Sequence, residues 1–233
     1  LAAFRGRLLD RGRRKPVQYI LGRTPFRELE LRTDPRVLIP RPETEELVGA
    51  VLDRVREWGR EGLLVLDIGT GSGAIALSLA LEGPFGRVVA TDLSLEALEV
   101  ARENAGAAGV SEKVEFREGS LFSPVGSGER FDVIVSNPPY IGEGEFAALA
   151  PEVRDWEPEM ALLAADRGMA LIESIVRGAG SHLEVGGLLA LEIGAGQGEE
   201  VLALVRATEG FGAPILLRDL SRRDRMILTP WLG

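Results

Sequence analysis

The sequence predicts an α/β fold: a mostly parallel, seven-stranded sheet with helices on both faces and an antiparallel last strand. Three observations predict it. From residue 63 onward, short apolar runs are interleaved with helical stretches. The runs are continuous rather than alternating, so both faces of each strand are covered, as in parallel strands linked by crossover helices. The last two runs, 215–217 and 226–228, are separated only by a polar stretch too short for a crossover helix, so the final strand runs antiparallel to its neighbour.

Taken in order, residues 1–23 carry Arg5, Arg7, Arg11, Arg13, Arg14 and Lys15 against Asp10 alone. They read as a helix that breaks at Pro16, with the charge run as a solvated face rather than a contact for RNA or an acidic partner. The chain opens at Leu1 in mid-helix without a methionine, as a trimmed fragment of a longer protein would, and no secretion signal is visible. From Thr24 to Ile39, Phe26, Leu29, Leu31, Val37 and Ile39 alternate with polar residues, which predicts a β-hairpin with Asp34-Pro35 as its turn. Pro40 and Pro42 punctuate it. A helix then runs to about Trp58, with Glu43, Glu45 and Glu46 in its first turn, where negative charge suits the helix dipole.

The core follows as strand 63–66, glycine turn 69–73, wholly apolar helix 74–81, strand 88–90, helix 95–107 and strand 114–116. Strand 131–136, helix 169–182, strand 188–193 and helix 197–207 lead to the closing pair.

Composition limits what such a fold does. The 233 residues are 45% hydrophobic and 27% charged, which excludes disorder, collagen and coiled coil. The uncharged stretch 68–81 contains glycines at 69, 71 and 73 and ends before the ~18 residues of a membrane span. With no cysteine and one histidine, His182, thiolate sites are excluded and little remains for a histidine triad or zinc centre. The net charge of −9 disfavours a duplex-binding surface.

Two motifs carry chemistry. Asp67-Ile68-Gly69-Thr70-Gly71-Ser72-Gly73 ends the first core strand and opens a helix, where glycines let the backbone turn tightly against a ligand. Asp92 ends the second core strand, placed to accept both hydroxyls of a ribose. Gly69-x-Gly71-x-x-Ala74 with Asp92 also satisfies a relaxed dinucleotide fingerprint, so an NAD enzyme remains open at this point. Asp67 tilts the balance: it would repel a pyrophosphate, whereas it can hold a cationic amino-acid moiety. The second motif, Ser136-Asn137-Pro138-Pro139-Tyr140, follows the fourth core strand and so lies at the same sheet edge. Its prolines fix two φ angles and remove two donors. The Asn137 side-chain oxygen and the Pro138 carbonyl make a pair of acceptors for a planar –NH₂, and Tyr140 offers an aromatic face to stack on it.

These motifs together resemble class I S-adenosylmethionine-dependent methyltransferases that act on planar –NH₂ nitrogens. Four further segments narrow the resemblance to the release-factor glutamine methyltransferase family. They are Pro16-Val17-Gln18-Tyr19-Ile20-Leu21-Gly22 with Phe26, Leu38-Ile39-Pro40-Arg41-Pro42-Glu43-Thr44-Glu45, Val153-Arg154-Asp155-Trp156-Glu157-Pro158, and Ala161-Leu162. The match covers essentially the whole chain. It implies a Rossmann-like methyltransferase domain over residues 41–233, a β-hairpin linker over 24–40, and a remnant of an amino-terminal helical domain over 1–23.

The resemblance further implies that the methyl donor is S-adenosylmethionine and its product S-adenosylhomocysteine. The acceptor is the glutamine of the Gly-Gly-Gln motif in class I peptide-chain release factors, methylated on N5. A cytoplasmic enzyme with no membrane, metal or direct nucleic-acid partner is expected. By position, Asp67, Gly69, Thr70, Gly71, Ser72 and Gly73 face the methionine part of the cofactor, Asp92 its ribose and Leu121 its adenine, and Asn137 also touches it. Asn137, Pro138, Pro139 and Tyr140 hold the substrate, with Asn137, Pro138 and Tyr140 catalytic. Two positions depart from the family: Ser120 stands where an acidic residue is common, and Arg222 where a glycine is common, although Arg225 matches. Adenine-N6 methylation needs the same –NH₂ geometry, but the acidic balance and the lack of an inserted target-recognition domain count against it. An NAD-binding oxidoreductase and a binding protein without turnover are the remaining alternatives.

Overall fold

The computed structural model describes residues 2–233. Its first elements are helices α1 (Ala2–Gly12) and α2 (Val17–Leu21), separated by Pro16. Gly22, in the left-handed region at φ 74°, ends α2 by donating its N–H to the Gln18 carbonyl. The hairpin β1 (Arg23–Phe26) and β2 (Leu29–Arg32) begins one residue before the expected Thr24. Its turn is Arg27-Glu28, not Asp34-Pro35. Residues 33–41 are instead a coil that buries Val37 and Ile39, with the Val37 carbonyl accepting from the Tyr19 hydroxyl at 2.6 Å.

Helix α3 (Pro42–Arg56) starts with proline at its first turn and has Glu43 and Glu45 there; Glu46 falls just beyond it. Then come β3 (Leu63–Ile68), α4 (Ala74–Glu82), β4 (Phe85–Asp92), α5 (Leu95–Ala108), β5 (Val114–Glu118) and β6 (Phe131–Ser136). The excursion 141–168, which the sequence left without elements, holds two single-turn helices, α6 (Glu143–Phe146) and α7 (Pro151–Arg154), and two 3₁₀ turns. Helix α8 (Ala170–Ala179) is shorter than 169–182 because His182 lies in the turn beyond it, its ring stacked on Phe122 at 4.9 Å. Strand β7 (Leu183–Glu192) begins well before residue 188, across an irregularity in its pairing with β6. Helix α9 (Gly198–Ala207), β8 (Ile215–Arg218) and β9 (Asp224–Pro230) complete the chain.

The seven strands lie in the order β5-β4-β3-β6-β7-β9-β8. All pairings from β5 to β7 are parallel, and β9 runs antiparallel between β7 and β8. The expected seven-stranded sheet with an antiparallel last strand is therefore present. Its pleat serves two cores: Val65, Val133 and Ala190 pack with α3 and α4, while Leu66, Ile134 and Leu189 face α8 and α9, all fully buried. After β3 the chain builds outward to β4 and β5, then returns to place β6 on the other side of β3. A crevice opens where that order reverses, at the carboxyl ends of β3 and β6. Both sequence motifs sit there.

Candidate active site

The glycine turn follows β3 with Gly69, Gly71 and Gly73 at φ 74°, 56° and 85°, angles that favour glycine. A Cβ added at Gly69 or Gly71 would meet nothing within 4 Å, so both face open space, whereas one at Gly73 would press on Leu77 and Ala101. Gly73 therefore serves helix packing. Asp67 is fully buried beneath the turn; its Oδ2 accepts from Thr70 Oγ1 at 2.7 Å and from the Ala76 N–H at 3.2 Å. Its Oδ1 has no partner. Burial pushes this carboxyl up to about 7. Thr70 and Ser72 are also buried, the Ser72 carbonyl accepting from Asn104 Nδ2 at 2.8 Å. Asp92 closes the turn from β4, its Oδ2 accepting from the Gly71 N–H at 2.8 Å and its Oδ1 from Ser94 N–H at 2.9 Å; burial raises its pKa.

The cleft above is lined by Gly69, Gly71, Asp92, Leu121 and Asn137, with Val37, Met160 and Ile175 among its apolar walls. These are five of the nine expected cofactor residues. The other four do not line it: Asp67 lies beneath the turn, and Thr70, Ser72 and Gly73 are buried or packed within it. Leu121 occupies the left-handed region at φ 51°, a strained position for a leucine at a cleft wall. Open space over two glycines, apolar walls and one carboxylate fit a nucleoside with a cationic amino-acid arm.

Asn137, Pro138 and Pro139 line this cleft and also a second cavity, which adds Arg41, Tyr140, Ile141, Leu149, Val153 and Leu162. The Asn-Pro-Pro segment is thus a wall with a ligand space on each side. Ser136 Oγ, donating to the Ile68 carbonyl at 2.7 Å, ties the base of that wall to β3. Asn137 Nδ2 donates to Thr44 Oγ1 at 3.1 Å, and Thr44 Oγ1 donates to Glu192 Oε2 at 2.7 Å. Asn137 Oδ1 and the Pro138 carbonyl accept no hydrogen bond among the described residues. The Tyr140 hydroxyl lies 3.5 Å from Glu192 Oε1 and 3.4 Å from Arg225 Nη1, whose guanidinium stands over the ring. Burial pushes the phenol up to about 12 and the Glu192 carboxyl up to about 7.

Sequence reasoning assigned no role to Thr44, Glu192, Gln197 or Glu157. Gln197 holds the wall from outside, its Nε2 3.3 Å from the carbonyls of Tyr140 and Arg167. Buried Glu157 accepts from the Ile39 N–H at 3.0 Å and pairs with Arg41, so the coil 33–41 and the excursion 141–168 meet over the cleft. Thr44, Arg41, Glu157 and Arg225 all stand within the segments or positions quoted above, but nothing in their spacing announces the pairings of Thr44 with Glu192, Arg41 with Glu157 and Arg225 with Tyr140 across 148, 116 and 85 residues. Among the described residues no group of three metal-ligating side chains is placed to hold an ion, and no helix is long and apolar enough to cross a membrane.

Comparison with known proteins agrees with this geometry. A family model described as methyltransferase small domain matches residues 51–151. The chain is 46% identical over 226 residues to a release factor glutamine methyltransferase of Cereibacter sphaeroides, covering 97% of the chain and 78% of that protein. Among solved structures, ribosomal protein L11 methylase from Lactobacillus delbrueckii subsp. bulgaricus superposes with a TM-score of 0.62 at 22% identity, over 87% and 86% of the two chains. The T. thermophilus 16S rRNA N2 G1207 methyltransferase, in complex with AdoMet and guanosine, gives 0.63 at 20% identity over 91% of this chain and 50% of that one. The last two share the fold.

Proposed function

The chain belongs to the release factor glutamine methyltransferase family, and from that premise we propose how it transfers a methyl group from S-adenosylmethionine to a release-factor glutamine. The acceptor atom is N5 of the glutamine in the Gly-Gly-Gln motif of class I release factors, and S-adenosylhomocysteine is left behind. Family membership closes the NAD alternative that the glycine turn left open. The observation that carries the reading is the Asn137-Pro138-Pro139 wall, which stands between the cleft over the glycine turn and a second cavity. Residues 41–233 are the catalytic domain in this reading, residues 24–40 the hairpin linker, and the acceptor, a translation factor, places the reaction in the cytoplasm.

When bound, S-adenosylmethionine supplies an electrophilic methyl carbon on a sulfonium. Gly69 and Gly71 leave room for its amino-acid arm, Asp92 accepts from its ribose, and Leu121 covers its base. On the other side of the wall, an amide nitrogen is a poor nucleophile because its lone pair is delocalised into the carbonyl. Asn137 Oδ1 and the Pro138 carbonyl each accept one of its N–H groups, which aims the nitrogen through the wall and stabilises positive charge as it develops. Two prolines hold these acceptors in one geometry. The Tyr140 ring holds the plane of the amide. No strong base is required, since the methylated, cationic amide is acidic enough to release its proton to water.

The test is mass spectrometry of the glutamine-bearing release-factor peptide after incubation with S-adenosylmethionine, beside an oligonucleotide acceptor. A methyl gain confined to that glutamine is the expected result; transfer to adenine instead would overturn the assignment. Asn137→Ala is expected to lower kcat by about 10²–10³, the range for removing one transition-state partner. Its cofactor Kd is expected to rise much less, by no more than a few-fold, because Asn137 is one of several residues that line the cofactor cleft, whereas it supplies one of the two acceptors for the amide.

A further inference from the structure

Thr44, Glu192 and Asn137 come from α3, the end of β7 and the loop after β6, yet their polar atoms form one directed chain. Asn137 Nδ2 donates to Thr44 Oγ1, and Thr44 Oγ1 donates to Glu192 Oε2. Thr44 is 4% and Glu192 1% exposed. Among the described residues Glu192 has no ion-pair partner within salt-bridge distance. A buried carboxyl without one is costly to desolvate, so an apolar side chain would pack β7 against α3 more cheaply. Resting on the methyl-transfer reading above, we propose that Glu192 is a positioning residue that sets the polarity of the Asn137 amide through Thr44, so that Asn137 turns its oxygen toward the acceptor.

An ionised carboxylate only accepts, and a threonine hydroxyl has one hydrogen to give. Once that hydrogen is committed to Glu192, Thr44 has only lone pairs left for Asn137, and the amide must offer its nitrogen. The amide oxygen is thereby left for the substrate N–H. When the carboxyl is protonated, the hydroxyl is free to reverse and donate to Asn137. The amide then turns over and meets the substrate N–H, a donor, with another donor. The groups facing Glu192 are Thr44 and Glu43 of α3, Tyr140 of the loop after β6, and Arg225 of β9. Burial is the largest influence and places its ionisation near neutrality, with the Thr44 hydrogen bond and Arg225 opposing and Glu43 adding to it.

The test reads the amide directly, without an acceptor substrate. Heteronuclear NMR of the full chain follows the Asn137 side-chain amide from about pH 5.5 to 8.5, a span that brackets a carboxyl titrating near neutrality. A single titration of its shift is expected in the wild type, and none in Glu192→Gln. In methyl-transfer assays, Thr44→Val is expected to lose at least about tenfold in kcat with cofactor Kd unchanged, and Thr44→Ser to restore it to within about threefold. The acidic limb of the wild-type kcat profile should flatten in Glu192→Gln. If Thr44→Val does not fold, as its cofactor binding would report, the Glu192→Gln spectrum decides. An Asn137 signal that does not titrate in the wild type, or that titrates equally in Glu192→Gln, overturns the proposal. So does a folded Thr44→Val with wild-type kcat. A titrating signal in a wild type that methylates no release factor supports the relay and removes the proposed function instead.

Discussion

Asp67 is a buried carboxyl beneath the glycine turn, on the side of the wall proposed for the cofactor. Its carboxyl is fully buried with one oxygen unpartnered, and its pKa is raised to about 7 by burial, with Asp92 adding to the shift. An aspartate in the unfolded chain ionises near 3.9. Between these values the folded protein holds a proton that the unfolded chain has lost, so the empty protein loses stability as pH rises from about 4 to about 7, by at most about 4 kcal/mol. A cation bound above the turn favours the ionised form, so cofactor binding below about pH 7 releases a proton and tightens as pH rises toward that value. Asp67→Asn removes that charge. Its thermal midpoint is expected to depend less on pH between about 4 and 7, while its S-adenosylmethionine Kd near neutral pH rises by about tenfold, measured by calorimetry. An unchanged pH dependence of both quantities would remove this role. The carboxylate before the glycine turn was legible because it adjoins the motif. Its orphaned oxygen was not, since that depends on Thr70 and Ala76 folding over the other one.

At the scale of elements, legibility followed how each element is held. Continuous apolar runs in β3, β4 and β6 declare themselves because sheet burial on both faces demands them. The hairpin turns at Arg27-Glu28, which has no turn chemistry, and not at Asp34-Pro35, which has it. Arg27 nevertheless sits at φ 49°, held by Glu82 through two hydrogen bonds of 2.8 and 2.6 Å and by the Glu45 carbonyl at 3.0 Å. Tertiary anchoring overrides local preference there. The excursion 141–168 was illegible for the same reason: its helices are single turns without periodicity, and its contacts are long-range. Gly168 is the tightest of them. It lies at φ 87°, and an added Cβ would fall 2.0 Å from the Tyr140 carbonyl and 2.7 Å from Gln197 Nε2. Gly168→Ala combines backbone strain with a clash against main chain and is expected to cost about 2–4 kcal/mol in denaturant unfolding. Gly69→Ala meets no atom and should cost only about 1 kcal/mol, its effect appearing as weakened cofactor binding. Equal destabilisation by the two would refute this division between a packing and a ligand glycine.

For the whole molecule, the site is assembled by ties between regions far apart in sequence. Asn104 of α5 takes the Arg32 N–H on its Oδ1 and gives its Nδ2 to the carbonyls of Arg32 and Ser72, joining hairpin to glycine turn. Glu157 joins the coil before α3 to the excursion, and Glu152 reaches Arg11 and Arg14 near α1. These ties differ in burial, and that sets their weight. The Glu157 side chain is 1% exposed, so Glu157→Ala leaves the Ile39 N–H and the Arg41 guanidinium without a partner. Arg41 is itself 30% exposed and regains some water, which limits the loss to about 2–3 kcal/mol. Arg41 lines the second cavity, the acceptor side in the proposed function, so KM for the release factor should rise several-fold as well, with cofactor Kd nearly unchanged. Glu157→Gln keeps an acceptor for the Ile39 N–H and should recover part of the stability without restoring the ion pair. The Glu152 pairs are solvated, and Glu152→Ala should leave the thermal midpoint unmoved. Denaturant unfolding beside steady-state kinetics on the three variants separates the two kinds of tie. If Glu152→Ala and Glu157→Ala behaved alike, burial would not be what holds the excursion against the coil, and the acceptor cavity would need another support.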